Sequence, residues 1–404
     1  MCKSKKSTDV IRSTTSKSRN SRSSSIFDPS SSNPVSLTDS ASYYKDNSRS
    51  SAISGRTSLS SLRDSLLPEN PHIYDLSEIR LATNNFLLKP FSSSSSSTAW
   101  RCVIRGKDVV LFQRKFRCPI ELPELQRRLL MICRSHHSSL IKLLGAGASG
   151  NYIYLVYEYN TGANLATCLR NPKNPNFTVL SSWLSRMQVA TDLGHGLDYI
   201  HHCLDSNFVH NHITSSSVIV SEELMNAKIC HFGTAELCGE SVETKGASSS
   251  LTRADSKSMK IEGTRGYMAP ELQAIGVATQ KCDVYSFGVI ILELLSGREA
   301  LKYEFDDVNG TYKKVNVIDL AREAVGGGGG GVRRWVDRRL KDSFPVEVAE
   351  KMVVVGLECV EEDPVKRPDM GQVAVRISKL YLESKNWAER IGLPIDFSVS
   401  MAPR

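Results

Sequence analysis

The segment FVHNHITSSSVIV, residues 208–220, carries two histidines, His210 and His212, ahead of an apolar run, Val218, Ile219 and Val220, that reads as a short strand. On an extended chain, that spacing puts both rings on one side. A third imidazole, His231, follows in KICHFG. Three imidazoles brought together are a donor set that Zn²⁺ accepts. The plainer reading buries His210 as a packing residue and leaves His212 and His231 facing whatever site the fold makes. The surrounding elements must decide between these readings.

The chain has 404 residues and 40% hydrophobic residues, enough for a sizeable core. Lys and Arg exceed Asp and Glu by 51 to 43, a modest formal charge of +8. Ten cysteines are scattered with no CxxC pair, which favours reduced thiols in a cytosolic protein. No apolar run approaches the 18 or so residues of a membrane span. The best candidate, VIILELL at 289–295, is short and interrupted by Glu293, so it reads as a buried helix. Residues 1–72 are rich in Ser and basic residues, with too little apolar surface to offset ordering entropy, and are expected to be disordered.

Order is expected from IYDLSEIRLATNNF, 73–86, as a helix that Asp75 or Ser77 would cap. TAWRCVI and DVVLFQRKF read as strands joined at Arg105-Gly106-Lys107, and 121–134 as a helix. LIKLLGAGA and YIYLVYEY add two strands. From about 160 the pattern turns helical: 181–202, then about 281–297, 316–324, 346–361 and 370–383. The run Gly326–Gly331 reads as a flexible loop. The expected fold class is α+β: a β-rich lobe over 73–159, an α-rich lobe over 160–385 and a tail over 386–404.

Several blocks occur in a telling order: LVYEYNTGANL at 155–165, GTRGYMAPE at 263–271, CDVYSFGVIILELLSGREA at 282–300 and DPVKRPDM at 363–370. In this order they resemble the bilobal protein kinase domain of plant receptor-like kinases, across about 73–385. The LSGREA block and the C-terminal helices are most similar to the cytoplasmic domains of LysM receptor-like kinases. The resemblance implies a serine/threonine kinase fold that binds ATP and Mg²⁺ at a hinge, here Glu158 and Tyr159.

On that resemblance the chemistry is degraded. The catalytic Asp falls on His212, the Lys that neutralises the γ-phosphate on Thr214, and the Asn that holds the second Mg²⁺ on Ser217. The Asp of Asp-Phe-Gly, which grips Mg²⁺, is His231, and the third-strand lysine falls on Phe112. The phosphate-loop glycines align with Ser92, Ser94 and Ser97, and the helix Glu that partners the lysine with Arg128, with Glu124 one turn earlier as a substitute if the register slips. Phosphoryl transfer is mostly positioning and charge neutralisation, so joint loss at these places predicts a pseudokinase with ATP and Mg²⁺ binding weak or absent. Phe112 either fills the phosphate region and clamps the lobes or is drift on a half-exposed strand.

The family's supports are retained: Glu271 and Arg367 as its buried ion pair, Asp283 as the helix residue that holds the catalytic loop, and His210 and Phe232 as members of the stack between the lobes. The implied function is a scaffold or allosteric partner of other receptor-like kinases, with oligosaccharide perception of the chitin type upstream. An active kinase with an unorthodox site and a nucleotide sensor are the alternatives. Cys2, beside Lys3, Lys5 and Lys6, is a candidate for acylation and reversible attachment to the inner face of the plasma membrane. No motif points to nucleic acid.

Overall fold

The computed structural model describes residues 71–93, 97–117, 120–171, 173–203, 208–221, 225–240, 263–306, 310–328 and 330–392. Residues 1–70 of the expected disordered tail, Cys2 among them, and Ser94 lie outside the described residues, whereas His72, counted in that tail, belongs to a strand.

The chain opens with β1 (His72–Ile73) and α1 (Leu76–Ala82). Asp75 is the N-cap, and its backbone N–H donates to Glu78 Oε2 at 3.0 Å, a reciprocal cap that starts the helix. β2 (Ser92–Ser93), β3 (Ser97–Ile104) and β4 (Lys107–Lys115) follow, then α2 (Leu122–Arg134), β5 (Leu143–Ser149) and β6 (Tyr152–Glu158). They form one sheet in the order β1-β5-β6-β4-β3-β2. The β3–β4 turn has positive φ at Arg105 and Gly106, the conformation that matches the twist of a two-residue hairpin.

Alternation along these strands divides the sheet into two faces. Trp100, Cys102, Val109, Leu111, Tyr154 and Val156 pack beneath α1 with Ile79. Ala99, Phe112, Leu155 and Tyr157 point the other way, into the main core with Leu129 and Ile132 of α2. Arg114, two residues beyond Phe112, shares this inner face.

The helical lobe begins with β7 (Ala163–Asn164), α3 (Leu165–Arg170) and α4 (Trp183–Asp198). β8 (Val218–Val220) and β9 (Ala227–Ile229) form a small sheet with β7, and α5 (Thr234–Cys238), α6 (Pro270–Ile275) and α7 (Gln280–Ser296) follow. A hairpin of β10 (Leu301–Asp306) and β11 (Thr311–Asn316) leads to α8 (Val317–Gly326), α9 (Gly331–Trp335), α10 (Val346–Cys359) and α11 (Met370–Arg390). The glycine run is shorter as a loop than expected, because α8 ends on Gly326 and α9 starts on Gly331.

The C-terminal boundary also differs from the sequence reading. α11 runs through Arg390, past the boundary expected at 385, because its buried stripe continues through Leu380, Ser384 and Ala388. Ser384 hides that stripe in the sequence; its hydroxyl accepts a 2.8 Å bond from Trp183 Nε1. Glu293, which broke the apolar run, is fully buried in α7, where Arg170 and the Tyr267 hydroxyl bond it, each at 2.7 Å. Among the described residues, no helix is long and apolar enough to cross a membrane.

Candidate functional site

The site lies between the sheet and the helical lobe, in a cavity of about 790 Å³ whose walls include Ser92, Ser97, Glu158, Tyr159, Thr214 and Ser217. Phe112, His212 and His231 also line it, so one cleft gathers every degenerate position among the described residues except Arg128.

The loop before β8 is held from below by Asp283 on α7. Asp283 Oδ2 accepts the His210 N–H at 2.7 Å, Oδ1 accepts the Asn211 N–H at 2.8 Å, and His201 Nε2 lies 3.0 Å from Oδ2. Burial would raise the Asp283 pKa, but these hydrogen bonds and the neighbouring histidines hold it below the ordinary value. His210 is buried, with Nδ1 accepting from the His212 N–H at 3.2 Å, so Nε2 donates to Cys230 O at 2.8 Å. Burial pushes its pKa down to about 4, which keeps the ring neutral.

Thr214 and Ser217 bond to each other across the loop. Ser217 Oγ accepts the Thr214 N–H at 2.9 Å and lies 2.7 Å from His212 O. Thr214 Oγ1 accepts the Ser217 N–H at 3.2 Å. These hydroxyls serve the turn itself.

Phe112 comes from β4 and meets His231 ring to ring, with centroids 4.3 Å apart and an interplanar angle of 32°. Tyr157 faces the same imidazole edge-on at 6.0 Å. His231 sits at φ 62°, a left-handed conformation that His tolerates better than most residues. Burial pushes its pKa down to about 3, and its buried Nδ1 has no hydrogen-bond partner among the described residues.

The chain then turns sharply into α5. Gly233 has φ 83°, and a Cβ there would come 2.7 Å from side-chain atoms of Ile132, so only glycine fits. α5 is pinned against α2 and β6: Arg128 Nη1 donates to Glu236 O at 2.9 Å, and the Tyr157 hydroxyl donates to Phe232 O at 3.0 Å. Glu124 bonds to Arg128 at 2.6 Å and to Arg127 on its own helix, so it does not stand in for the helix Glu. Lys115 is exposed on β4, beside the ring of Tyr152.

α5 delivers Glu240 to the cleft. Its Oε1 accepts from Arg114 Nη2 at 2.7 Å and Nε at 3.0 Å, and its Oε2 from His212 Nε2 at 2.7 Å. Sequence reasoning missed this cluster. Arg114 was legible from the two-residue period it shares with Phe112, but nothing marked Glu240.

The supports lie farther out. Arg367 Nη1 and Nη2 bond to Glu271 Oε1 and Oε2 at 2.6 and 2.7 Å, and Arg367 also donates to Glu361 O and Lys281 O. Phe232 is buried, its ring 6.0 Å from that of Phe208.

Mg²⁺ takes oxygen ligands in octahedral geometry. The positions that would supply them hold one imidazole, His231, and one hydroxyl committed to the loop, Ser217, and the nearby carboxylate of Glu240 is paired with Arg114. These residues do not fit the ion. The zinc arrangement is not formed either: among the described residues no group of three His, Cys, Asp or Glu converges as metal ligands.

A mixed sheet over a helical lobe, with a cleft between them and a loop held by a buried Asp, is the protein kinase fold. The protein kinase domain family matches residues 115–376, and the chain belongs to that family. Its curated relatives include LysM domain receptor-like kinase 3 of Arabidopsis thaliana, 31% identical over 79% of this chain and 48% of that protein. Chitin elicitor receptor kinase 1 of the same plant is 30% identical over 78% and 47%. The chain thus spans about half the length of these relatives. Among solved structures, the pseudokinase domain of BIR2, an immune regulator of the RLK/Pelle family, matches with a TM-score of 0.59 at 23% identity, covering 80% of this chain and 92% of that one.

Proposed function

We propose that this chain is a pseudokinase that works by binding, as a scaffold or allosteric partner of receptor kinases in plant signalling, with ATP and Mg²⁺ weakly bound or not bound. The observation that carries the reading is the Phe112–His231 stack. Where the family places a phosphate-binding lysine and a metal-binding carboxylate, this chain packs two rings 4.3 Å apart. A Phe side chain supplies no charge, and a buried neutral imidazole is a poor Mg²⁺ ligand. Removing a single group of this kind typically costs orders of magnitude in rate. The supports are a second line of argument, since Glu271–Arg367 and the Asp283 bonds keep the helical lobe in shape for partners. The name of one relative, chitin elicitor receptor kinase 1, supports chitin-type perception upstream, and the fold would act at the cytoplasmic side, with Cys2 and the basic N-terminus as a reversible membrane contact.

The test is incubation of the purified chain with radiolabelled Mg-ATP, alone and with the cytoplasmic domain of a LysM receptor kinase made inactive. The expected result is no label above a buffer control, with retained binding to the receptor domain. Label that persists after removal of contaminating kinases and disappears when Thr214, His212 or Phe112 is mutated overturns the reading.

A further inference from the structure

Glu240 is the most heavily bonded carboxylate in the cleft. Besides the Arg114 and His212 contacts, Asn211 Nδ2 donates to Oε2 at 3.2 Å, and Arg117 Nε lies 3.8 Å from Oε1. The glutamate is buried, and its own N–H is tied back to Ala235 O at 2.8 Å. Arg114 Nη2 stands 3.3 Å from His212 Nε2. Both atoms donate to the carboxylate, so two donor groups are crowded together around a single anion.

This is an anion site with its ligand built in. Guanidinium groups bind carboxylates and phosphates through the same paired N–H geometry. Arg114, His212 and Asn211 also line the 790 Å³ cavity that reaches Glu158 and Tyr159. The family reading of this cleft needs metal cations to offset phosphate charge. Here, protein cations stand at the wall, and an internal carboxylate neutralises them.

We propose that Glu240 is a resident plug in a cationic cradle formed by Arg114, Arg117, His212 and Asn211, and that the cradle takes the phosphates of a nucleoside polyphosphate, without divalent metal, when Glu240 is removed or displaced. The proposal rests on the reading of the cleft as lacking Mg²⁺ ligands. Phosphate transfer by the wild-type chain would refute that reading, whereas the outcomes below bear on the plug alone.

The experiment compares the full chain with Glu240→Gln, which keeps the side-chain shape and removes the charge. ATP in EDTA, ATP with Mg²⁺ and inorganic tripolyphosphate in EDTA are titrated by calorimetry and by thermal shift. Glu240→Gln is expected to bind ATP in EDTA at least tenfold more tightly than wild type, with no gain from Mg²⁺. Tripolyphosphate is expected to bind it as well, and to raise its melting temperature. Adding Arg114→Gln should erase the gain, and Glu240→Asp, which keeps the charge, should show none. An unchanged affinity in folded Glu240→Gln overturns the proposal, as does a gain that requires Mg²⁺ or survives Arg114→Gln. A gain for ATP without one for tripolyphosphate places the binding at the base end of the cleft and overturns it too. If Glu240→Gln is unstable and tripolyphosphate does not restore it, the cradle does not take phosphate.

Discussion

Replacing His231 by Phe should make the protein less sensitive to acid. The imidazole is packed between Phe112 and Tyr157, with His212, His210 and the Arg114 guanidinium as its neighbours. Burial, reinforced by the neighbouring imidazoles and the Arg114 charge, lowers its pKa from 6.5 to about 3. The unfolded chain takes up a proton at this position below pH 6.5, while the folded chain resists doing so until about pH 3. The unfolded state therefore binds more protons in this window, and stability falls as pH drops through it. By pH 5 the loss from this group is about 2 kcal/mol, an upper figure because the ring edge is partly open to the cleft. Phe keeps the stack and cannot titrate. It also removes the orphaned Nδ1, whose burial costs about 1–3 kcal/mol. Phe is less at ease than His at φ 62°, but that cost is the same at every pH and cancels in the comparison. Urea melts of both proteins at pH 7 and pH 5 measure the difference. Wild type should lose about 2 kcal/mol more than His231→Phe between the two values; equal losses would refute the burial of a neutral imidazole against Phe112.

Three further outcomes follow. Glu271→Ala should cost about 3–5 kcal/mol in urea unfolding, because it strands the buried Arg367, and should abolish partner binding in a pull-down with the receptor domain. His212→Asp should destabilise the fold by about 1–3 kcal/mol at pH 7, because it sets a second carboxylate beside Glu240; Glu240→Gln in the same chain should recover most of the loss in a thermal melt. On the far side of the helical lobe, His202 lies between Asp198 at 2.7 Å and Asp369 at 3.0 Å. Burial opposes its charge, but the two carboxylates outweigh burial and raise its pKa, so this bridge stabilises below about pH 6.5 and is lost as pH rises through the folded value; His202→Gln should flatten the stability profile there, and an unchanged profile refutes the bridge.

What the sequence disclosed was local. The hairpin at Arg105-Gly106 and the helix start at Asp75 depend on a few adjacent residues, and both could be read as turn and cap chemistry. The degenerate positions could be read because the family's spacing places each within a short motif. The plug could not. Arg114 and Glu240 are 126 residues apart, and only the tight turn at Gly233 and the pinning of α5 bring them together. Buried polar positions also misled. Ser384 concealed the continuation of α11, and the partners that let Glu293 be buried within the expected helix, Arg170 and Tyr267, are distant in the chain.

The proposed plug also bears on the proposed loss of chemistry. In the family's arrangement, the position of His212 carries a carboxylate, and the region facing the phosphates is cationic because it holds lysine and metal. This chain builds that wall from the Arg114 guanidinium and the N–H of His212, and it supplies the anion from the segment that follows α5. Glu240's pKa is lowered: burial would raise it, but His212 and Arg114 more than compensate, so the carboxylate stays charged through ordinary acid. A single change back toward chemistry, His212→Asp, would face that charge at close range, and Phe112→Lys would add a buried ammonium beside the His231 ring. Each step back is disfavoured unless Glu240 changes with it. The same bonds tie the sheet to the loop before β8 and so hold the two lobes in one arrangement, which the proposed binding role requires.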